Sequence, residues 1–541
     1  MKQFVITVAG VFVGLLLFFI GLPLLVVAML ASAARPTPTP EVAVISLDLR
    51  GSLPDQDPQS PLASLQQGAP SVMAIEQVLR RAESDQKVKA LFVRLPEQGM
   101  SPAAADELSG AFKHFRGAGK KIFVHSQGLY ASGVITSTYM LGTSADELWM
   151  QPGAPFQVTG LASEEIFFKR FFDKWGVHPE FEQRYEYKNA VNPYLYDDFT
   201  PAHKESELSW MGSIYKTTLT AVAADRKLSE AALQTAVEAG PYTAEDAQAK
   251  GLVDKVGQVR DAANTALVAA GPGAKMIDFD DYKGSLRGEQ DGASTDPVIA
   301  VVNAEGDIMT GTGGDSLLGT GANIRSDDVS EALYKAARDK SVKAIVFRVS
   351  SPGGGDTASE QILGAVRAAK AMGKPVVVSM GTYGASGGYW IASQANAIVA
   401  EPTTLTGSIG VYGGFIARVA DGRHLPVARV QEIAKGRVWT GEQAAKLGLV
   451  DQLGGFYDAV DKAKALSNLT GQAVRLKVVT ARPNPLGAFG KLLGVGDDSV
   501  RTLAAIAAVL GDPKVQGLVS QIHAANLRAH GAMVLAPTPI R

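Results

Sequence analysis

The chain has 541 residues, enough for three or four average domains at roughly 150 residues each. Its 52 basic and 54 acidic groups leave a net charge of −2, so the charge footprint of a nucleic-acid binder is missing. Cysteine is absent, which excludes thiol nucleophiles, disulfides and thiolate metal sites, and no two of the seven histidines stand at a metal-ligand spacing.

The first predicted element is Phe4 to Leu30, 27 residues without a charge. As a helix it would be about 40 Å long and would cross a hydrocarbon core of about 30 Å with some tilt. A signal-peptide core is shorter, about 7–15 residues. Residues 1–34 therefore read as a retained transmembrane anchor, although Ala31-Ser32-Ala33 would suit a cleavage site. Lys2 favours an inside N-terminus, and Arg35 just after the span weakens that signal. Residues 35–41, within ARPTPTPEV (34–42), read as a proline-stiffened linker.

Beyond it, AVISLDL (43–49), ALFVRL (90–95) and KIFVHS (121–126) predict strands, and residues 69–84 and 104–117 predict helices. Alternation of helices with near-continuous Val/Ile/Leu runs indicates a buried parallel sheet covered by helices, an α/β fold. The unit is then written again. KVKALFVRLPEQG (87–99) aligns with SVKAIVFRVSSPG (341–353), and GKKIFVHS (119–126) with GKPVVVSM (373–380). Ser132 in YASG falls on Ser386 in GASG, and YTAEDAQAKGLVDKVG (242–257) on WTGEQAAKLGLVDQLG (439–454). So long a period means domain duplication. The copies differ in length: Leu161 to Thr243 spans 82 positions, whereas Val411 to Thr440 spans 29. From about residue 474 the chain is rich in Ala, Gly, Pro and Val, and predicts part helix, part coil.

Three stretches could carry chemistry. In GASGGYW (384–390) a serine stands between a strand and a helix-like stretch. Alone it fits an N-cap serine in a tight turn, yet free N–H groups there could also bind an oxyanion. The string also satisfies G-x-S-x-G, and an α/β-hydrolase reading would need Asp421 or Asp451 with His424, His523 or His530. In RVSSPGGGDTASEQI (348–362) successive glycines end a strand and could supply further N–H donors. The matching loop of the first copy, RLPEQGMSPAAADEL, keeps one glycine. The third need is a base, and lysine is the alternative to histidine, provided burial lowers its pKa of about 10.4. Lys188 lies among aromatics in YEYKNAVNPY, although a solvated surface lysine is the ordinary case.

Together YGASGGYW, VSSPGGG, YKNAVNPY and the WTG…GLVD segment resemble the long form of the signal peptide peptidase A (protease IV) family, Ser-Lys peptidases of family S49. The tandem halves match too, up to about residue 465. The resemblance implies Ser386 as nucleophile, Lys188 as general base in a Tyr-Lys-x-Ala pattern, and Gly387 with Gly353 or Gly354 as oxyanion donors. It implies two tandem ClpP/crotonase-like domains behind the N-terminal transmembrane helix. Residues 42–285 would supply the lysine and 286–475, shortened, the serine, with 476–541 an Ala/Gly-rich tail. It further implies a homotetramer anchored once in the bacterial inner membrane by residues 4–30, with its body on the periplasmic side. Signal peptides and other short apolar peptides would be the substrates, with no metal or organic cofactor. Ser132 would be structural. Long members of the family carry a longer segment between GSIGV and WTG than this chain does. Two further readings are an esterase using Ser386 with a histidine, and a membrane scaffold that binds apolar peptides without cleaving them.

Overall fold

The computed structural model describes Gly14 and residues 38–57, 70–181, 185–290, 296–313, 323–410 and 413–481. The expected span Phe4–Leu30 (but for Gly14) and residues 482–541 lie outside these. Among the described residues no helix is long and apolar enough to cross a membrane.

The duplication appears as two parallel sheets. The first runs in spatial order Lys255–Val256, Glu147–Met150, Lys121–Ser126, Val88–Arg94, Ala43–Asp48, Lys275–Asp278. The second runs Leu405–Gly407, Val376–Ala385, Val342–Ser351, Val298–Glu305, Arg475–Val478, and Ala397–Ala400 also pairs with Val376–Ala385. An antiparallel strand, Val438–Thr440, closes the edge beside Leu405–Gly407. The Val/Ile runs form strands because helices cover both faces: Val342–Ser351 is buried at every position but Lys343. The predicted helices start where capping residues stand. Ser71 accepts from the Ala74 N–H ahead of Val72–Ser84, and Ser101 precedes Pro102 at the start of Pro102–Gly117. The stretch assigned to the tail begins inside a strand, since Arg475–Val478 pairs with Val298–Val301.

The first three matched strands are longer in the second copy, most of all the third. Lys121–Ser126 stops after six residues, whereas its counterpart Val376–Ala385 runs for ten, past Met380, the position that matches Ser126. The extra residues are strand because Tyr383–Ala385 pairs with Leu405–Gly407.

The halves meet over a buried arginine. Arg348 is 0% exposed, and its guanidinium donates to Asp55 (2.9 and 2.5 Å) and Glu107 (3.0 and 2.7 Å) of the first half. It also donates to Ser379 Oγ at 2.8 Å, and Glu107 accepts the Phe456 N–H. Met73 of the first half enters the apolar cluster of Ile299, Val346, Val377 and Phe456. Further carboxyls line this junction. Glu401 is buried, and burial, followed by Asp106, Glu107, Glu76 and Asp458, pushes its pKa well above 4.5. A Cβ at Gly455 would stand 2.7 Å from Glu401 Oε1 and 3.0 Å from Glu107 Oε1, so a bare glycine leaves them room.

A carboxyl whose folded pKa is raised stabilises fully below its unfolded value and loses that contribution as pH rises. Glu401→Gln should therefore make the protein more stable than wild type at pH 8 and equal to it near pH 4.5. The gain should grow by up to about 1.4 kcal/mol per pH unit. Denaturant unfolding at the two pH values measures it, and an equal difference at both would refute it.

Candidate active site

Ser386 follows directly on the extended strand Val376–Ala385, at φ 52° and ψ −119°, a backbone region that non-glycine residues rarely adopt. The strained turn is held from both sides. Ser386 N–H donates to Gly407 O at 2.9 Å, its carbonyl accepts from Trp390 N–H, and Thr406 Oγ1 donates to Gly384 O. The neighbouring strand thus fixes where Ser386 Oγ points, which the short helix Gly387–Ala392 alone could not do.

Lys188 arrives from the other half. Its Nζ lies 3.3 Å from Ser386 Oγ, 2.8 Å from Ser408 Oγ and 3.3 Å from Ser408 O. Burial pushes its pKa below the ordinary lysine value of 10.5. An uncharged amine at this distance can take the serine hydroxyl proton.

The glycines divide their roles. Gly353 N–H donates to Ser351 Oγ at 3.1 Å, so it is occupied. Gly353, at φ +123°, must be glycine because a Cβ would stand 2.7 Å from Ser386 Cβ. Gly354 N–H and Gly387 N–H donate to no protein acceptor among the described residues. They are close together: a Cβ on Gly387 would lie 3.0 Å from Gly354 N. Two open donors beside a serine hydroxyl form a place for a developing oxyanion.

The first copy is built differently at the matching positions, although Gly99 and Gly133 stand where the second has Gly353 and Gly387. Its strand ends at Ser126, Ser132 is exposed, and the Ser132 carbonyl accepts from Gly99 N–H at 2.7 Å. Gly99 is the counterpart of Gly353. The acids and histidine of the esterase reading lie with other partners. Asp421 accepts from Gln394 and Asp451 pairs with Arg423, and neither they nor His424 bond to Ser386. His523 and His530 lie outside the described residues. Sequence reasoning passed over Ser408. A signal was present, since in the alignment of Leu161 with Val411 the counterpart of Ser408 is Val158, buried and apolar.

The profile of peptidase family S49 matches residues 114–271, 368–414 and 411–470. Protease 4 of Haemophilus influenzae is 31% identical over 529 residues, 83% of this chain and 84% of that protein. The chain belongs to peptidase family S49. Protease 4 of Salmonella typhi is 32% identical over 463 residues, covering 74% of this chain and 72% of its own. A putative signal peptide peptidase SppA of Enterococcus faecium is 30% identical over 193 residues, 26% of this chain and 56% of its own. This S49 serine peptidase has Lys188, Ser386 and Ser408 inside the matched segments, whereas Gly353 and Gly354 fall between them.

Ser408 Oγ lies closer to the amine than Ser386 Oγ does, so Ser408→Ala should leave Lys188 less well aimed. We expect kcat to fall by about 10–100-fold with KM little changed, read in steady-state peptide hydrolysis. An unchanged kcat would count against the contact.

Proposed function

We propose that this S49 peptidase is a membrane-anchored endopeptidase that degrades cleaved signal peptides and other short apolar peptides through Ser386 and Lys188. The observation that carries this reading is the approach of Lys188 Nζ, with its lowered pKa, to 3.3 Å from Ser386 Oγ. Neutral Lys188 takes the hydroxyl proton while Ser386 Oγ attacks the scissile carbonyl carbon. The oxyanion sits on the Gly354 and Gly387 N–H groups, and Gly353 serves by leaving space rather than by donating. Collapse breaks the C–N bond, and Lys188 returns the proton to the leaving amine. Lys188 then takes a proton from water as the water oxygen attacks the acyl carbon; the ester C–O bond breaks, and Lys188 returns that proton to Ser386 Oγ.

The charge-free run 4–30 supports a single-pass anchor, and Lys2 ahead of it supports a body on the periplasmic side of the inner membrane. The resemblance set out above supports a ClpP/crotonase-like fold for each half and a homotetramer. The name of the Enterococcus relative supports signal peptides as substrates.

The test is hydrolysis of an apolar fluorogenic peptide by the full chain in detergent. Ser386→Ala and Lys188→Ala should each lose turnover by at least about 1,000-fold while melting cooperatively. Because the neutral amine is the active form, kcat/KM should rise with pH with a midpoint below 10.5, the ordinary lysine value. Turnover that survives Lys188→Ala would overturn the dyad.

A further inference from the structure

The loop that bears Lys188 is thinly buried. Tyr185 and Glu186 are exposed, and the short turn Asn189–Val191 has no buried residue. Beyond its own N–H bond to Tyr185 O and the amine's contacts to Ser386 and Ser408, Lys188 packs against the turn of residues 435–437 in the second half. Gly436, at φ +80°, lies so close that a Cβ there would be 2.8 Å from both Lys188 N and Lys188 Cβ. Lys435 pairs with Glu186 at 3.0 Å, but both side chains are over 40% exposed, where such a pair contributes little. Arg437 is better enclosed, with its side chain 17% exposed. Its guanidinium carbon lies 5.0 Å from the Tyr187 ring centre and 4.3 Å from that of Trp439, and Nη2 donates to Glu205 at 2.6 Å. Its carbonyl accepts the Ser408 N–H at 2.7 Å. One residue thus touches both Tyr187, next in the chain to Lys188, and Ser408, whose hydroxyl meets the amine.

We propose that Arg437 is a positioning residue of this site: lying over the Tyr187 and Trp439 rings and paired with Glu205, it clamps the Lys188 loop of the first half onto the second. The inference rests on the Ser386–Lys188 reading. Arg437 touches neither reacting atom and acts through Lys188. A planar guanidinium can stack on two rings while its in-plane N–H groups meet a carboxylate, whereas an ammonium cannot do both. Tyr185, Glu186 and Tyr187 of the Lys188 loop, Lys435 of the facing turn, and His203, Lys204, Glu205 and Glu207 at the start of the helix Pro201–Arg226 are the other titratable groups near this contact, and all of them remain in the Arg437 variants.

The experiment measures turnover of an apolar fluorogenic peptide by the full chain across pH, for wild type, Arg437→Ala, Arg437→Lys, Tyr187→Leu and Lys188→Ala. Arg437→Ala should lower kcat about 10–100-fold with KM within about twofold. It should also move the rise of rate to higher pH, because water admitted around Lys188 returns its pKa towards the ordinary value. Arg437→Lys should lie between, and Tyr187→Leu should give the same direction of shift. The double variant Tyr187→Leu/Arg437→Ala should be no worse than the poorer single one. A folded Arg437→Ala with wild-type kcat and pH profile, beside an inactive Lys188→Ala, would overturn this proposal and leave the dyad standing. Turnover surviving Lys188→Ala would overturn the dyad itself. Should Arg437→Ala not fold, unchanged pH profiles in both Arg437→Lys and Tyr187→Leu would overturn the clamp.

Discussion

Arg348 sets the terms for the rest of the molecule. A guanidinium keeps its proton at any ordinary pH, so a fully buried one needs carboxylates wherever the chain can supply them. Both of its carboxylates, Asp55 and Glu107, come from the other half. Asp55 gets close because Gly381 has no side chain: a Cβ there would lie 2.3 Å from Asp55 Oδ1. Breaking such a trio by removing one partner strands a buried charge, typically at a cost of about 3–5 kcal/mol. The second half is thus electrostatically incomplete without the first, and the relative placement of the two halves is fixed from within.

That fixed placement is what a site divided between two halves requires. Lys188 and Ser386 are 198 residues apart in sequence and 3.3 Å apart in space. The loop bearing Lys188 contributes little burial of its own, and Ser408 and Gly436 of the second half lie against the buried amine and its backbone. Catalytic competence in this reading is a property of the junction. A weakened junction would lose both the distance and the neutral amine, so stability and activity are coupled through the same surface.

The regular elements were legible in the sequence because buried parallel strands are unbroken Val/Ile runs, while the helix starts read as 69 and 104 lie at Val72 and Pro102, where Ser71 and Ser101 cap them. GTYGA (381–385) was not legible as strand. Its two glycines read as a turn, and only pairing with Leu405–Gly407 makes it extended. Ser386 stood out through its glycines, whereas no local pattern separates Lys188 from a surface lysine, since its burial is tertiary. The family resemblance singled it out. Ser408 and Arg437 escaped for the same reason: their partners lie across the junction, beyond the reach of any window along the chain. The glycine pair could be resolved only with hydrogen bonds in view, since the Ser351 hydroxyl takes the Gly353 N–H.

The unequal lengths of the copies bear on why one site forms and not two. The first copy uses its 82 positions between Leu161 and Thr243 to send out the Lys188 loop before returning along the long helix Pro201–Arg226. That helix lies against the Val438–Thr440 edge, where Ser213 Oγ bonds Thr440 Oγ1. In the second copy the 29 positions from Val411 to Thr440 hold two helices, Gly413–Arg423 and Val427–Ile433, and then the turn bearing Gly436 and Arg437. The short route brings that turn directly onto Lys188, where the Gly436 backbone has room only for a hydrogen. It also leaves the second copy without a counterpart of the long extension that bears Lys188 in the first. Length therefore divides the labour: the long copy reaches out with the amine, and the short copy holds the serine and grips what reaches it.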